Sequence, residues 1–166
     1  GARIPQGTTT FAFDFSAVPQ TNDGGIRIRA IDPKNLVSAW SSSVSAFAVA
    51  NHAPSKPSIL FPAMGDSFDA RLSIIWKEAS PRDIDGHDVT YRAEINPAYS
   101  SGGAWITLKG GIPQGTTSIS LDSSSLEEGE DYAVRIVAID ELGAETASEP
   151  IPTVTVRHAG ACVIDT

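Results

Sequence analysis

The chain has 166 residues, 41% of them hydrophobic and 19% charged, and a formal net charge of −8. Those proportions suit one folded domain with something left over, or two small ones, and argue against wholesale disorder. With only twelve basic residues, scattered along the chain, no positive stripe exists to neutralise phosphates, which disfavours nucleic acid and anionic membrane surfaces as partners.

Apolar runs are interrupted within a few residues, so none is long enough to cross a bilayer. The opening residues, GARIPQGTTT, lack the apolar core of a signal peptide; a secreted protein already processed would look the same. A single cysteine, Cys162, excludes an internal disulfide, and no Cys/His spacing matches a zinc site.

In chain order, the pattern predicts strands throughout. Phe11, Phe13 and Phe15 alternate with other residues, IRIRAID (Ile26–Asp32) follows, and a further strand is expected near Val44–Val49. Next come Ser58–Phe61, Arg71–Ala79, His87–Ile95, Ala104–Lys109 and Thr117–Asp122. The segment DYAVRIVAID (Asp131–Asp140) turns Tyr132, Val134, Ile136 and Ala138 one way, and the last strand lies near Ile151–Val156. A two-residue period over such lengths marks half-buried strands. The turn-rich stretches PAMGD, PRDIDGHD, PAYSSGG, EEGED and DELGAE separate them, as turn chemistry requires. No segment holds a 3.6-residue apolar period; SLEEGED is at most one turn.

The sequence also repeats itself. IPQGTT occurs at Ile4–Thr9 and at Ile112–Thr117, 108 residues apart, and the same offset superimposes IRIRAID on VRIVAID. Laid over each other without a gap, Ile4–Asp32 and Ile112–Asp140 share 14 identities in 29 positions. A repeat of about 100 residues is the size of a domain, not of a solenoid unit. Seven short strands with regular turns over that length predict an antiparallel β-sandwich. Trp76, Tyr91, Ile74, Val89 and Ile136 fall on its inner side by alternation. Leu126, Gly129 and Tyr132 form L-x-x-G-x-x-Y, a spacing that lets a buried tyrosine return its hydroxyl to the preceding turn.

On the Pro-rich lead-in APSKPSI, Trp76, Tyr91, the run LEEGEDYAVRIVAID and the loop RDIDGHDVTY, the segment Ala53–His158 resembles a fibronectin type III domain. The loop is similar to the DPDGDxVTY stretch of bacterial members. The resemblance implies an all-β, immunoglobulin-like antiparallel sandwich, non-catalytic and usually one of an array. Three divisions are expected: residues 1–52, the last three strands of one such domain; 53–158, a complete domain; and 159–166, a tail or the first strand of another. In the first copy Gly24 stands where the second has Tyr132. Three strands cannot close a sandwich, so the apolar face of Phe11, Phe13, Phe15, Ile26, Ile28 and Ile31 needs a cover. Upstream chain of a tandem array is expected to supply it, with strand addition from another chain as the rival.

Few residues offer chemistry. Asp83, Asp85 and Asp88 flank Gly86 and His87 and could present oxygens to calcium. An EF-hand loop needs more ligands and a distal bidentate Glu, so a solvated turn with Gly86 at positive φ is the plainer expectation. His52 and His158 follow the last strand of each copy and read as linker features. No G-x-S-x-G elbow or phosphate-binding glycine loop occurs. Trp105 and Trp40 suit either a glycan or protein contact or the capping of a sandwich. No residue is assigned to catalysis, cofactor binding or metal binding, and no cofactor is expected. The function read here is a non-catalytic extracellular spacer and display module of a longer bacterial surface or secreted protein. Its expected partners are neighbouring domains or chains of the same protein, with weak binding of a protein or glycan at one end. Two other readings stay open: a structural protein of a phage tail or extracellular filament, and an accessory module of a polysaccharide-degrading enzyme.

Overall fold

The computed structural model describes residues 3–42 and 44–158. The chain divides into two compact units, Gly1–Asn51 and His52–Thr166. The described residues contain strands and turns and no helix, so no helix is long and apolar enough to cross a membrane. The tail or first strand expected over residues 159–166 lies outside the described residues.

The first unit holds two antiparallel strands, β1 (Thr21–Ile26) and β2 (Val44–Val49). The strand expected over Phe11–Phe15 does not form, and IRIRAID contributes only Ile26 to β1 and an isolated bridge, Ile31 to Val37. Backbone N–H and C=O groups make a strand only beside a partner ladder, and residues 10–15 have none in this unit. Gly24 pairs with Phe47, whose ring lies so close that a Cβ on Gly24 would come within 2.6 Å of it. Phe47 thus occupies the space that a side chain at position 24 would need. Phe15 packs at a tilt against Phe47, with ring centroids 4.8 Å apart, and meets Phe13 edge-on at 5.1 Å. Phe11, Phe13, Ile26, Ile28 and Ile31 are nonetheless exposed, Ile28 by 60%.

The second unit is a two-layer sandwich. One sheet runs β3 (Ser58–Phe61), β5 (Arg71–Lys77), β8 (Ser118–Asp122), all antiparallel neighbours. The other runs β4 (Ser67–Phe68), β11 (Ile151–Val156), β9 (Gly129–Ile139), β6 (Thr90–Asn96), β7 (Ile106–Pro113), with β10 (Glu145–Ala147) also on β9. β4 joins β11 in parallel. Register sets the core: Tyr91 faces Ala138, Ala93 faces Ile136 and Ile95 faces Val134 across β6 and β9. On β5 and β8 Leu72 faces Leu121 and Ile74 faces Ile119.

The residues that alternation turned inward are buried: Trp76, Tyr91, Ile74, Val89 and Ile136 are each 1% exposed or less. The Trp76 and Tyr91 rings meet at 5.8 Å and tie the two sheets together. Each such side chain contributes roughly 1.5–3 kcal/mol by leaving water. Tyr132 donates its hydroxyl to the Glu127 carbonyl at 2.7 Å, closing the corner before β9.

Several local features recur at the 108-residue offset. Gly7 and Gly115 have φ of 84° and 83°, Asn35 and Gly143 have 62° and 84°. Asp14 Oδ1 accepts from Ser16 N and Asp122 Oδ1 from Ser124 N, both at 2.9 Å. Asp32 Oδ1 accepts from Lys34 N and Leu36 N, as Asp140 Oδ1 does from Leu142 N and Ala144 N. Equivalent positions therefore make the same turns twice, even where the letters differ, as at Asn35 and Gly143.

Candidate functional site

The link between β5 and β6, residues 78–89, carries the densest chemistry of the second unit. Ser55 N donates to the Arg82 carbonyl at 2.8 Å and moors the link to the unit's first residues. Asp83 Oδ1 accepts from Asp85 N at 2.7 Å, a short side-chain turn that holds the loop's path. Gly86 completes it at a φ of 82°, the left-handed region expected of it.

These constraints bring Asp83, Asp85 and His87 together, with one ligand atom from each within 4.8 Å of the others. His52 holds Asp85 from two directions: His52 N donates to Oδ2 at 2.7 Å and Nδ1 lies 3.0 Å from Oδ1. Asp83 is 6% exposed, and its Oδ2 has no hydrogen-bond partner; nor has the buried Nδ1 of His87. The two stand 4.0 Å apart, too far for a hydrogen bond. Asp88 is placed elsewhere, accepting from Gln114 Nε2 at 2.7 Å.

A cleft of about 530 Å³ opens beside this cluster, lined by Glu78, Arg82, Asp83, His87, Asp88 and Gln114. The second IPQGTT turn forms one wall: Gly115 N donates to Glu78 Oε1 at 2.7 Å, and Gln114 Oε1 accepts from Val89 N. Arg82 Nε donates to Glu78 Oε2 at 2.7 Å. Burial pushes the Glu78 carboxyl up, but the Gly115 N–H and the Arg82 guanidinium outweigh it and hold the group below its ordinary 4.5. Burial also drives the nearby Tyr91 phenol well above its usual range.

The remaining candidates fall apart spatially. His158 N donates to Glu128 Oε1 at 2.7 Å and its Nε2 meets the Leu126 carbonyl at 2.8 Å, so it locks a loop, as His52 does. Neither is a plain linker residue. Trp105 lies under the Arg135 guanidinium at 4.1 Å and against Tyr99 at 5.9 Å. In the first unit Trp40 takes Arg27 and Arg29, each 4.5 Å from its ring centroid. Both indoles already serve cation–π contacts. Sequence reasoning grouped three aspartates and passed over His87. The spacing D-x-D-x-H gave no signal of the meeting, because the segment is not extended: Asp85 N turns back to Asp83 Oδ1 and Gly86 takes a positive φ.

The fibronectin type III domain model matches residues 62–154, more than half of the chain. The chain belongs to the fibronectin type III family. Protein sidekick-2 of Gallus gallus is 29% identical over 92 residues, 55% of this chain and 4% of that protein. The chain thus spans a small fraction of that relative's length. Among solved structures, the fibronectin type-III domain of human fibronectin type III domain containing protein 3 aligns with a TM-score of 0.50 and 18% identity. It covers 70% of this chain and 98% of its own. The chicken CNTN1 FN1-FN3 domains align with a TM-score of 0.49 and 18% identity over 80% of this chain and 44% of theirs.

Proposed function

We propose that this protein is a stretch of a tandem fibronectin type III array, a non-catalytic extracellular module that spaces and displays other parts of a longer surface or secreted protein. On this reading residues 1–52 are the C-terminal part of one copy and residues 53–158 the next. The supporting observation is the repeat, in which the same side chains make the same turn bonds 108 residues apart, as in Asp32 and Asp140. Uncovered Phe11, Phe13 and Ile28 in the first unit favour completion of that copy by further strands of the same kind. A bacterial source is favoured by the loop RDIDGHDVTY alone, whereas the curated relative is an animal protein.

The polypeptide isolated from its native source, captured through residues 53–158 and weighed intact, tests this reading. A mass well above 17.4 kDa is expected. A native mass of 17.4 kDa would overturn it and would assign the cover of the first unit to a second chain.

A further inference from the structure

We propose that Asp83, Asp85 and His87 form a binding site for a divalent transition-metal ion of the zinc type. The inference is independent of the spacer reading. Buried polar atoms in folded proteins almost always have partners, yet Asp83 Oδ2 and His87 Nδ1 are both buried and both lack one. They face each other at 4.0 Å with Asp85 completing the triangle. A direct bond would have closed that gap; an ion between them satisfies both.

Size and charge fit. Ligand atoms about 2.1 Å from a common ion lie at most about 4.2 Å apart, so three atoms within 4.8 Å need to move less than about 1 Å each. Two carboxylates balance a divalent charge. The imidazole nitrogen sets the class, since calcium and magnesium take oxygen ligands whereas zinc, nickel and cobalt accept nitrogen. Asp85 is pre-oriented by His52, the outer support that metal carboxylates ordinarily have. Asp83 is fixed by the Asp85 N–H on its other oxygen, so its Oδ2 is aimed before any ion arrives. Asp83 and His87 line the cleft, which gives an ion a way in and room for water as a further ligand.

The test uses the full chain carrying Cys162→Ser, which removes the one thiol as a competing ligand. ZnCl2 is titrated by calorimetry and by assigned amide and imidazole NMR resonances. One equivalent should bind, with shifts centred on Asp83, Asp85 and His87, and CaCl2 at equal concentration should not displace it. His87→Gln should weaken binding at least about tenfold and His52→Ala by a smaller factor. The proposal is overturned if ZnCl2 in roughly hundredfold excess leaves those resonances unmoved. It is equally overturned if a folded His87→Gln chain binds as tightly, if CaCl2 competes evenly, or if binding is lost with Cys162 alone. The resonance readout needs no variant at the site, so a loop that fails to fold when altered does not blunt the test.

Discussion

Tyr132 carries two jobs at one position: its ring is buried at 4% exposure and its hydroxyl satisfies the Glu127 carbonyl. Tyr132→Phe keeps the ring and removes the bond, so it should cost about 0.5–1.5 kcal/mol, more if the carbonyl stays dry. Urea denaturation should show a lower midpoint with an unchanged slope; an unchanged midpoint would mean that water replaces the hydroxyl. This residue was legible because its role is written in local spacing, Leu126, Gly129 and Tyr132. His87 was not, because its meeting with Asp83 depends on how the link folds back, and spacing alone favoured Asp88. The support that His52 gives Asp85 spans 33 positions, and no local pattern encodes such a contact.

Among elements, matching segments with the same alternation behaved differently in the two copies. SISLD forms β8 because β5 lies beside it, with Ile74 opposite Ile119. The matching residues 10–14 have no such neighbour in the first unit and stay irregular. Alternation therefore reports what a segment can become, whereas pairing decides whether it does. The hydrophobic alternation on β5, β6 and β9 located the core of the second unit for that reason: all three strands find their partners. Charge pairs extend across the sheet of β6, β9 and β10, where Arg92 grips Glu145 through Nη1 and Nη2 at 2.9 and 2.8 Å and reaches Glu94 at 2.7 Å. The Arg92 hydrogen bonds hold the Glu145 carboxyl below its ordinary 4.5, and Glu78 is lowered as well. A carboxyl lowered in the folded state stays ionised where the unfolded chain has begun to take up protons. Its contribution is present above 4.5 and is lost as pH falls through the folded value. Thermal midpoints should thus drop below pH 4.5, and Glu145→Gln should flatten that drop. A midpoint equally steep in the variant would remove this pair from the account.

At the scale of the molecule, the two units differ in how far they bury their apolar side chains. Trp76, Tyr91, Ile95, Val134 and Ile136 are buried in one contiguous core between two sheets. The first unit instead has a two-stranded sheet with exposed Phe11, Phe13, Ile26 and Ile28, and an isolated two-stranded ribbon is marginal in water. Local stability should differ accordingly, since amides exchange through the cheapest opening available to them. Hydrogen–deuterium exchange of the intact monomeric chain measures this directly. The account predicts that β5, β6 and β9 exchange slowly and together, while β1 and β2 exchange faster by orders of magnitude. Equal protection of Thr21–Ile26 and Gly129–Ile139 in the monomer would contradict it, because the first unit would then be whole by itself.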